Sequence, residues 1–389
     1  MAHPSSMGIL NLRLKAEGAP NGEPPTRAKR RSHPSEARVL RGTPAEHGFT
    51  FPAEWTRHTG TWISWPRPEG ISFPGRYQEC IDNVVEVIRT ITRFERVHLN
   101  VPNIDYEEIV RARLTVRGVA TRRVRFHHIR TNECWTRDHG PAFVLRSRHK
   151  RVEAAVVDWG YNAWGNKYPP YDADDAVPTR VAEVLGLPVF NPGIVMEGGA
   201  VDFNGAGTVM TTTSCLLNKN RNPGLTKTEI EEVLRDFYGQ RHVVWLGEGI
   251  AGDDTDGHID DLARFVDART IVIGMEDDLR DPNYEVLQHN RRTLGRIRDQ
   301  DGRPFDVVEL PMPRPVIYQK QRLPATYMNF YFVNGALLVP TFAQPRCDNR
   351  ALEILRSLIP KRDVVGIDCR ALIWGLGAIH CLTQHQPRF

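Results

Sequence analysis

The chain has 389 residues, 40% of them apolar and 25% charged, with a formal net charge of +4. No run approaches the roughly 18 apolar residues of a membrane span, and six scattered cysteines without a C-x-x-C pair argue against a disulfide framework or a zinc ribbon. The start "MAHPSSMGIL" lacks a basic region followed by an apolar one, so the expected location is cytoplasmic.

The charge is unevenly placed. Residues 1–50 carry eight Lys/Arg against four Asp/Glu, which accounts for the whole excess and leaves the rest of the chain formally neutral. A nucleic-acid partner is therefore not expected. Residues 1–47 are rich in Pro, Gly, Arg and Ser with almost no apolar periodicity, and read as a disordered basic extension in which "AKRRS" is a solvated run. Residues 48–389 read as one domain.

From Phe51 onward short apolar runs alternate with Gly and Asn turns. "YQECIDNVVEVIRTITRF" (Tyr77–Phe94) reads as a helix. "GPAFVLRSRHKRVEAAVVDWG" reads as a hairpin, and Gly198–Leu217, turning at "NGAG", as a second. Thr226–Gly239 opens with a Thr-x-x-Glu capping box and closes on glycine, the signature of a helix. "HIDDLARFVDARTIVIG" is a third hairpin, and Tyr327–Phe342 a fourth that turns at Asn334-Gly335. "AIHCLTQ" begins a last strand.

The polar residues leading these strands are regularly spaced. Asp138 to Glu197 is 59 positions, Glu197 to His258 is 61, His258 to Asn329 is 71 and Asn329 to Cys381 is 52. A strand-hairpin-helix unit recurring about every 60 residues is a degenerate repeat, and a radial repeat brings equivalent ends of its units to one axis. Taken alone, Cys381 would be an ordinary core thiol. On such an axis it meets Asp138 of "WTRDHGP", Glu197 of "VMEGGAVDF", His258 and Asp260 of "GDDTDGHIDD", and His380.

A cysteine beside a histidine points to nucleophilic catalysis, since the thiolate is the competent form and an imidazole manages the proton. Several carboxylates would disable the thiol unless the substrate is a cation, and a guanidinium matches carboxylates two bonds at a time. The Asp-rich loop around His258 lacks the twelfth-position glutamate of a calcium loop. A zinc set of His258, Asp260, His380 and Cys381 is the other arrangement these residue types permit, and neither a metal nor any other cofactor is expected.

"FPAEWTRHTGTWISWP", "WTRDHGPAF", "DWGYNAWGNKYPPYDADDAVP", "MEGGAVDFNGAGTVMTTTSCLLNKNRNP", "GDDTDGHIDDLARFV" and "IHCLTQHQP", in this order, resemble the agmatine deiminase family of the guanidine-modifying superfamily, related to bacterial-type peptidyl-arginine deiminases. The resemblance implies an α/β fold, the five-bladed α/β propeller (pentein) with pseudo-fivefold ββαβ-type repeats. It implies Cys381 as nucleophile, His258 as catalytic histidine, Asp138 and Asp260 as guanidinium-binding carboxylates, and Glu197 as support for histidine and substrate. Trp135 is placed along the substrate chain or in the framework. The implied reaction is metal-free hydrolysis of a small guanidine, agmatine first, to N-carbamoylputrescine and ammonia. The family's usual Gly-Gly-Gly before Ile-His-Cys is Gly375-Leu376-Gly377-Ala378 here, its usual Gln is His385, and Asn166 stands where a second glycine is common. Another guanidine, peptidyl-arginine included, an amidinotransferase reaction, a non-catalytic propeller binding module and a homo-oligomer all stay open at this point.

Overall fold

The short apolar runs fold into strands arranged in small sheets, in a computed structural model that describes residues 36–389. β1 (His58–Ser64), β2 (Arg96–Val101) and β3 (Val124–His128) lie parallel, joined by the helices Tyr77–Phe94 and Ile104–Val116. β4 (Ala142–Arg148) and β5 (Arg151–Val157) form a hairpin, and β6 (Val189–Phe190) adds parallel to β5 after the helix Val177–Leu185.

The same order recurs. The hairpin β7 (Asp202–Phe203) and β8 (Thr208–Thr212) takes β9 (His242–Leu246) in parallel after the helix Lys227–Tyr238. β10 (Ala263–Phe265) and β11 (Thr270–Met275) take β12 (Asp306–Pro311) after Asn283–Arg296. A separate ribbon of β13 (Val316–Tyr318) and β14 (Gln321–Leu323) precedes the hairpin β15 (Tyr331–Val333) and β16 (Ala336–Thr341). That hairpin takes β17 (Asp363–Asp368) after Pro345–Leu358. The C-terminal β18 (Thr383–Pro387) pairs antiparallel with β1, so the first sheet acquires its antiparallel edge from the far end of the chain. Each four-element unit is thus an antiparallel pair, a crossover helix and a parallel strand, a mixed α/β fold.

The helices form for local reasons. Ile81, Val84, Val85, Ile88 and Ile91 of Tyr77–Phe94 recur at helical spacing and are all buried. Thr226 and Glu229 exchange the reciprocal bonds of a capping box, and Gly239 ends the helix in the left-handed region at φ 63°. β2, β8 and β11 are buried on both faces along nearly their whole length, as strands covered by crossover helices must be.

The expected extension reached residue 47. Residues 1–35, including "AKRRS", lie outside the described residues, and the segment after them is part of the folded body. The Leu40 N–H donates to Val189 O at 2.8 Å, the Val189 N–H to Arg38 O at 2.9 Å, and the Ala45 N–H to Asp236 O at 3.0 Å. The reason is the free edge of the short β6, which Val39 extends as a parallel bridge.

Candidate active site

The turn before each first strand carries polar side chains inward. Asp138 stands in Thr136–His139, ahead of β4. Its neighbour Arg137 faces away and donates to Glu54 Oε2 at 2.8 Å, so no Arg137–Asp138 surface pair forms. Asp138 Oδ2 accepts from the Trp164 indole N–H at 3.0 Å and Oδ1 from the Gly199 N–H at 3.0 Å. Trp164 belongs to a left-handed turn, Ala163–Asn166, with φ of 50°, 55°, 90° and 63° in order. Ala163 and Trp164 there each cost roughly 1–2 kcal/mol, so strain is concentrated where an indole is delivered to a buried carboxylate.

Gly199 permits the next approach. A Cβ there would lie 2.6 Å from His258 Nδ1 and 2.7 Å from Asp138 Oδ1. His258 is fully buried, with Nδ1 3.7 Å from Asp138 Oδ1 and 3.9 Å from Asp260 Oδ1. Glu197, Cys215 and His258 each offer one ligand-type atom within 4.8 Å of the others, as do Asp260, Asp261 and Cys381. These groupings differ from the zinc set weighed from sequence. Glu197 Oε1 takes the Arg221 Nε–H at 2.6 Å, while Oε2 is buried without a protein partner.

Cys381 lies in the turn Ile379–Leu382, immediately before β18. Its Sγ is 3.0 Å from Asn329 Nδ2 and 3.7 Å from Asp260 Oδ2. Asn329 holds the segment by accepting from the N–H groups of His380 at 2.9 Å and Cys381 at 3.3 Å. Behind it, His380 bridges Asp260 Oδ2 at 2.7 Å and Glu54 Oε2 at 2.8 Å, and Glu54 also accepts from Arg264 at 3.2 Å.

The electrostatics follow from burial and these neighbours. Burial pushes the Cys381 thiol well above its ordinary value, and Asp260, Asp261 and Asp138 add to it. Burial also lifts Asp138, to about 6, with Asp260 and Glu197 adding and His258 and the Trp164 bond opposing. For His258 burial disfavours the charge, but Asp138, Cys215 and Glu197 outweigh it and hold the imidazole well above its usual range. Burial likewise opposes ionisation of Asp260, and His380, with His258 and Arg264, wins and keeps that carboxyl low. Burial and the neighbouring carboxyl groups thus favour the neutral form of the thiol, and the same neighbours favour the charged form of the imidazole.

A cavity of about 170 Å³ opens on Cys381 and Asp138, walled by Trp135, Trp164, Tyr168, Trp374 and Leu376. His258 adjoins that lining at Asp138 and Asp260 adjoins it at Cys381, each at 3.7 Å, and Glu197 stands beside His258. Leu376 has φ 68°, the left-handed region that favours glycine, and Gly377 leaves room for the Trp135 ring, since a Cβ would sit 2.5 Å from it. Asn166 is left-handed too, which asparagine tolerates. His385 is off the cavity, buried against His58 and Phe51 at ring separations of 5.3 and 5.6 Å. Sequence reasoning gave no role to Asn329, although it stood in the spacing series, and none to Glu54, Cys215 or Trp164. A carboxylate in the apolar run "FPAEW" was the available signal for Glu54.

A family model described as Porphyromonas-type peptidyl-arginine deiminase matches residues 50–387. The chain is similar to a protein named agmatine deiminase from Pseudomonas syringae pv. tomato, 36% identical over 373 residues that cover 90% of this chain and 98% of the relative. One of the same name from Medicago truncatula is 35% identical over 378 residues, covering 90% and 99%. Among solved structures, the agmatine deiminase of Enterococcus faecalis superposes with a TM-score of 0.82 at 29% identity, covering 90% of this chain and 99% of that one. A Campylobacter jejuni agmatine deiminase with substrate bound gives 0.79 at 32%, covering 87% and 96%.

Proposed function

The chain belongs to the Porphyromonas-type peptidyl-arginine deiminase family, and from that premise we propose that it hydrolyses agmatine to N-carbamoylputrescine and ammonia through a covalent intermediate on Cys381. The observation that carries the reading is the contiguity of Cys381, Asp260, His258 and Asp138, each within 3.9 Å of the next, with Cys381 and Asp138 lining one cavity.

Asp138 and Asp260 hold the guanidinium with its central carbon facing Sγ, an orientation effect that supplies several kcal/mol. Arrival of that cation among the carboxylates offsets the forces that keep the thiol protonated, and the Asn329 amide N–H groups stabilise the thiolate. The thiolate forms the S–C bond. His258, charged in the free site, gives a proton to the departing nitrogen, and the C–N bond breaks to release ammonia and leave a thiouronium. Neutral His258 then takes a proton from water as its oxygen attacks. Collapse of the second adduct breaks S–C, its hydroxyl proton passes to the departing sulfur to restore the thiol, and the ureido group is left. Glu197, fixed by Arg221, orients His258 from behind.

The five repeated sheets support the five-bladed propeller arrangement, with β18 completing the first blade. The free cysteines support the cytoplasmic location. The test is ammonia release from agmatine, arginine, 4-guanidinobutyrate and an arginine-containing peptide, with Cys381→Ser as control. Agmatine should be the best substrate. The serine variant should lose many orders of magnitude in turnover, and acid-quenched wild type should show the adduct mass. Turnover by the serine variant at the wild-type rate sinks the covalent reading.

A further inference from the structure

The charged lining of the cavity is as informative as its cysteine. Among the described residues three carboxylates line the cavity, Asp138, Glu133 and Asp254, and no Lys, Arg or His does so. Asp138 belongs to the guanidinium end. Asp254 accepts from the Tyr168 hydroxyl and has Lys167 Nζ at 3.7 Å, so a resident cation already faces it. Glu133 differs: its carboxylate takes the Ile71 N–H at 2.8 Å and the Ser72 hydroxyl at 2.5 Å, both neutral donors. A carboxylate oxygen has room for a further donor after one bond.

Glu133 is also rigidly mounted. Its own N–H donates to Asp174, and Ser72, which donates to it, accepts from the Trp135 indole N–H at 2.9 Å. One bonded chain therefore joins Glu133 to an aromatic wall that runs toward Cys381. Trp135 and Trp374 offer apolar faces on which a methylene stem can lie between the two ends.

We propose that Glu133 is a specificity-determining residue that receives a distal ammonium group, so that the site selects guanidines carrying a second positive charge at the end of an alkyl chain and rejects those ending in a carboxylate. The proposal rests on the deiminase reading and says which residue makes that choice. A carboxylate-terminated guanidine would place like charge against Glu133 and Asp254 with no lining cation to receive it.

The experiment compares kcat/KM for agmatine and for n-butylguanidine, which has the same chain without the amine, in wild type, Glu133→Gln, Glu133→Asp and Asp254→Asn. Glutamine keeps the acceptor for Ile71 and the partner for Ser72 while removing the charge, and thermal unfolding checks that the variants are folded. Wild type should favour agmatine, and E133Q should lower the agmatine-to-butylguanidine ratio at least tenfold, through the KM of agmatine. E133D should restore part of it. An unchanged ratio in E133Q, a collapse confined to D254N, or parallel loss of both substrates through kcat overturns the assignment. Turnover of neither guanidine by wild type sinks the deiminase reading, and this proposal with it.

Discussion

In the proposed mechanism Asp138 is the group whose charge the pH profile reads. Its carboxyl, lifted to about 6, must be ionised to hold a guanidinium, so kcat/KM for agmatine should rise with pH through about 6 and fall below it. Asp138→Asn keeps the shape of the clamp and removes the charge. A charge-assisted bond is worth roughly 1.5–3 kcal/mol against about 1 for a neutral one, so efficiency should drop roughly two- to thirtyfold and the acid limb near 6 should disappear. An acid limb unchanged in position in the asparagine variant refutes the assignment to Asp138. At Leu376 two effects oppose each other in Leu376→Gly. Relief of a left-handed leucine gains roughly 1–2 kcal/mol, while the freer glycine in the unfolded chain costs roughly 0.5–1 kcal/mol. Stability should therefore change by about 1 kcal/mol or less. Since Leu376 walls the cavity, agmatine should remain a substrate and bulkier or α-carboxylated guanidines should improve. A variant that gains agmatine where wild type ignores it contradicts the proposed substrate.

The left-handed turn Ala163–Asn166 does its work by presenting one indole N–H. That bond favours the Asp138 carboxylate, so Trp164→Phe should raise the Asp138 pKa and move the acid limb of kcat/KM upward by about one pH unit, taking the lost bond as roughly 1.4 kcal/mol. A limb that stays in place shows that the turn only walls the cavity. The turns before β4, β7, β10, β15 and β18 share a simpler arrangement: each ends a connection and starts the antiparallel member of a sheet. The residues just before the strand, Asp138, Gly199, His258 with Asp260, Asn329 and Cys381, consequently each arrive within 3.9 Å of another member of the set. Asn329 connects three of these turns with one amide.

For the whole molecule, the N-terminal boundary is a matter of stability. A chain beginning at Phe49 lacks the three backbone bonds made by Arg38, Leu40 and Ala45 and the tilted ring contact of His47 with Phe190 at 5.4 Å. At about 1 kcal/mol for each bond, less the entropy of ordering the segment, it should be about 1–2 kcal/mol less stable in urea than a chain beginning at Glu36. Its kcat should be unchanged, because the segment does not line the cavity. Equal midpoints show that the segment only lies on the surface.

Much of this was legible in the chain itself. The helix Tyr77–Phe94, the capping box at Thr226 and the hairpin at Asn334-Gly335 form where the sequence placed them, because apolar period, caps and turn residues act over a few positions. Asp138, His258, Asp260 and Cys381 stood out by residue type and by even spacing along a repeat. What local signals could not contain was decided by contacts between distant segments. β18 finds β1 across the length of the chain, giving the segment around Cys381 an ordered edge. Glu54 meets His380 only when those termini close, and Leu40 stays on the body because β6 leaves an edge to pair. The protonation states arise there too, since burial and the summed field of carboxylates set them, and neither exists until the fold has formed.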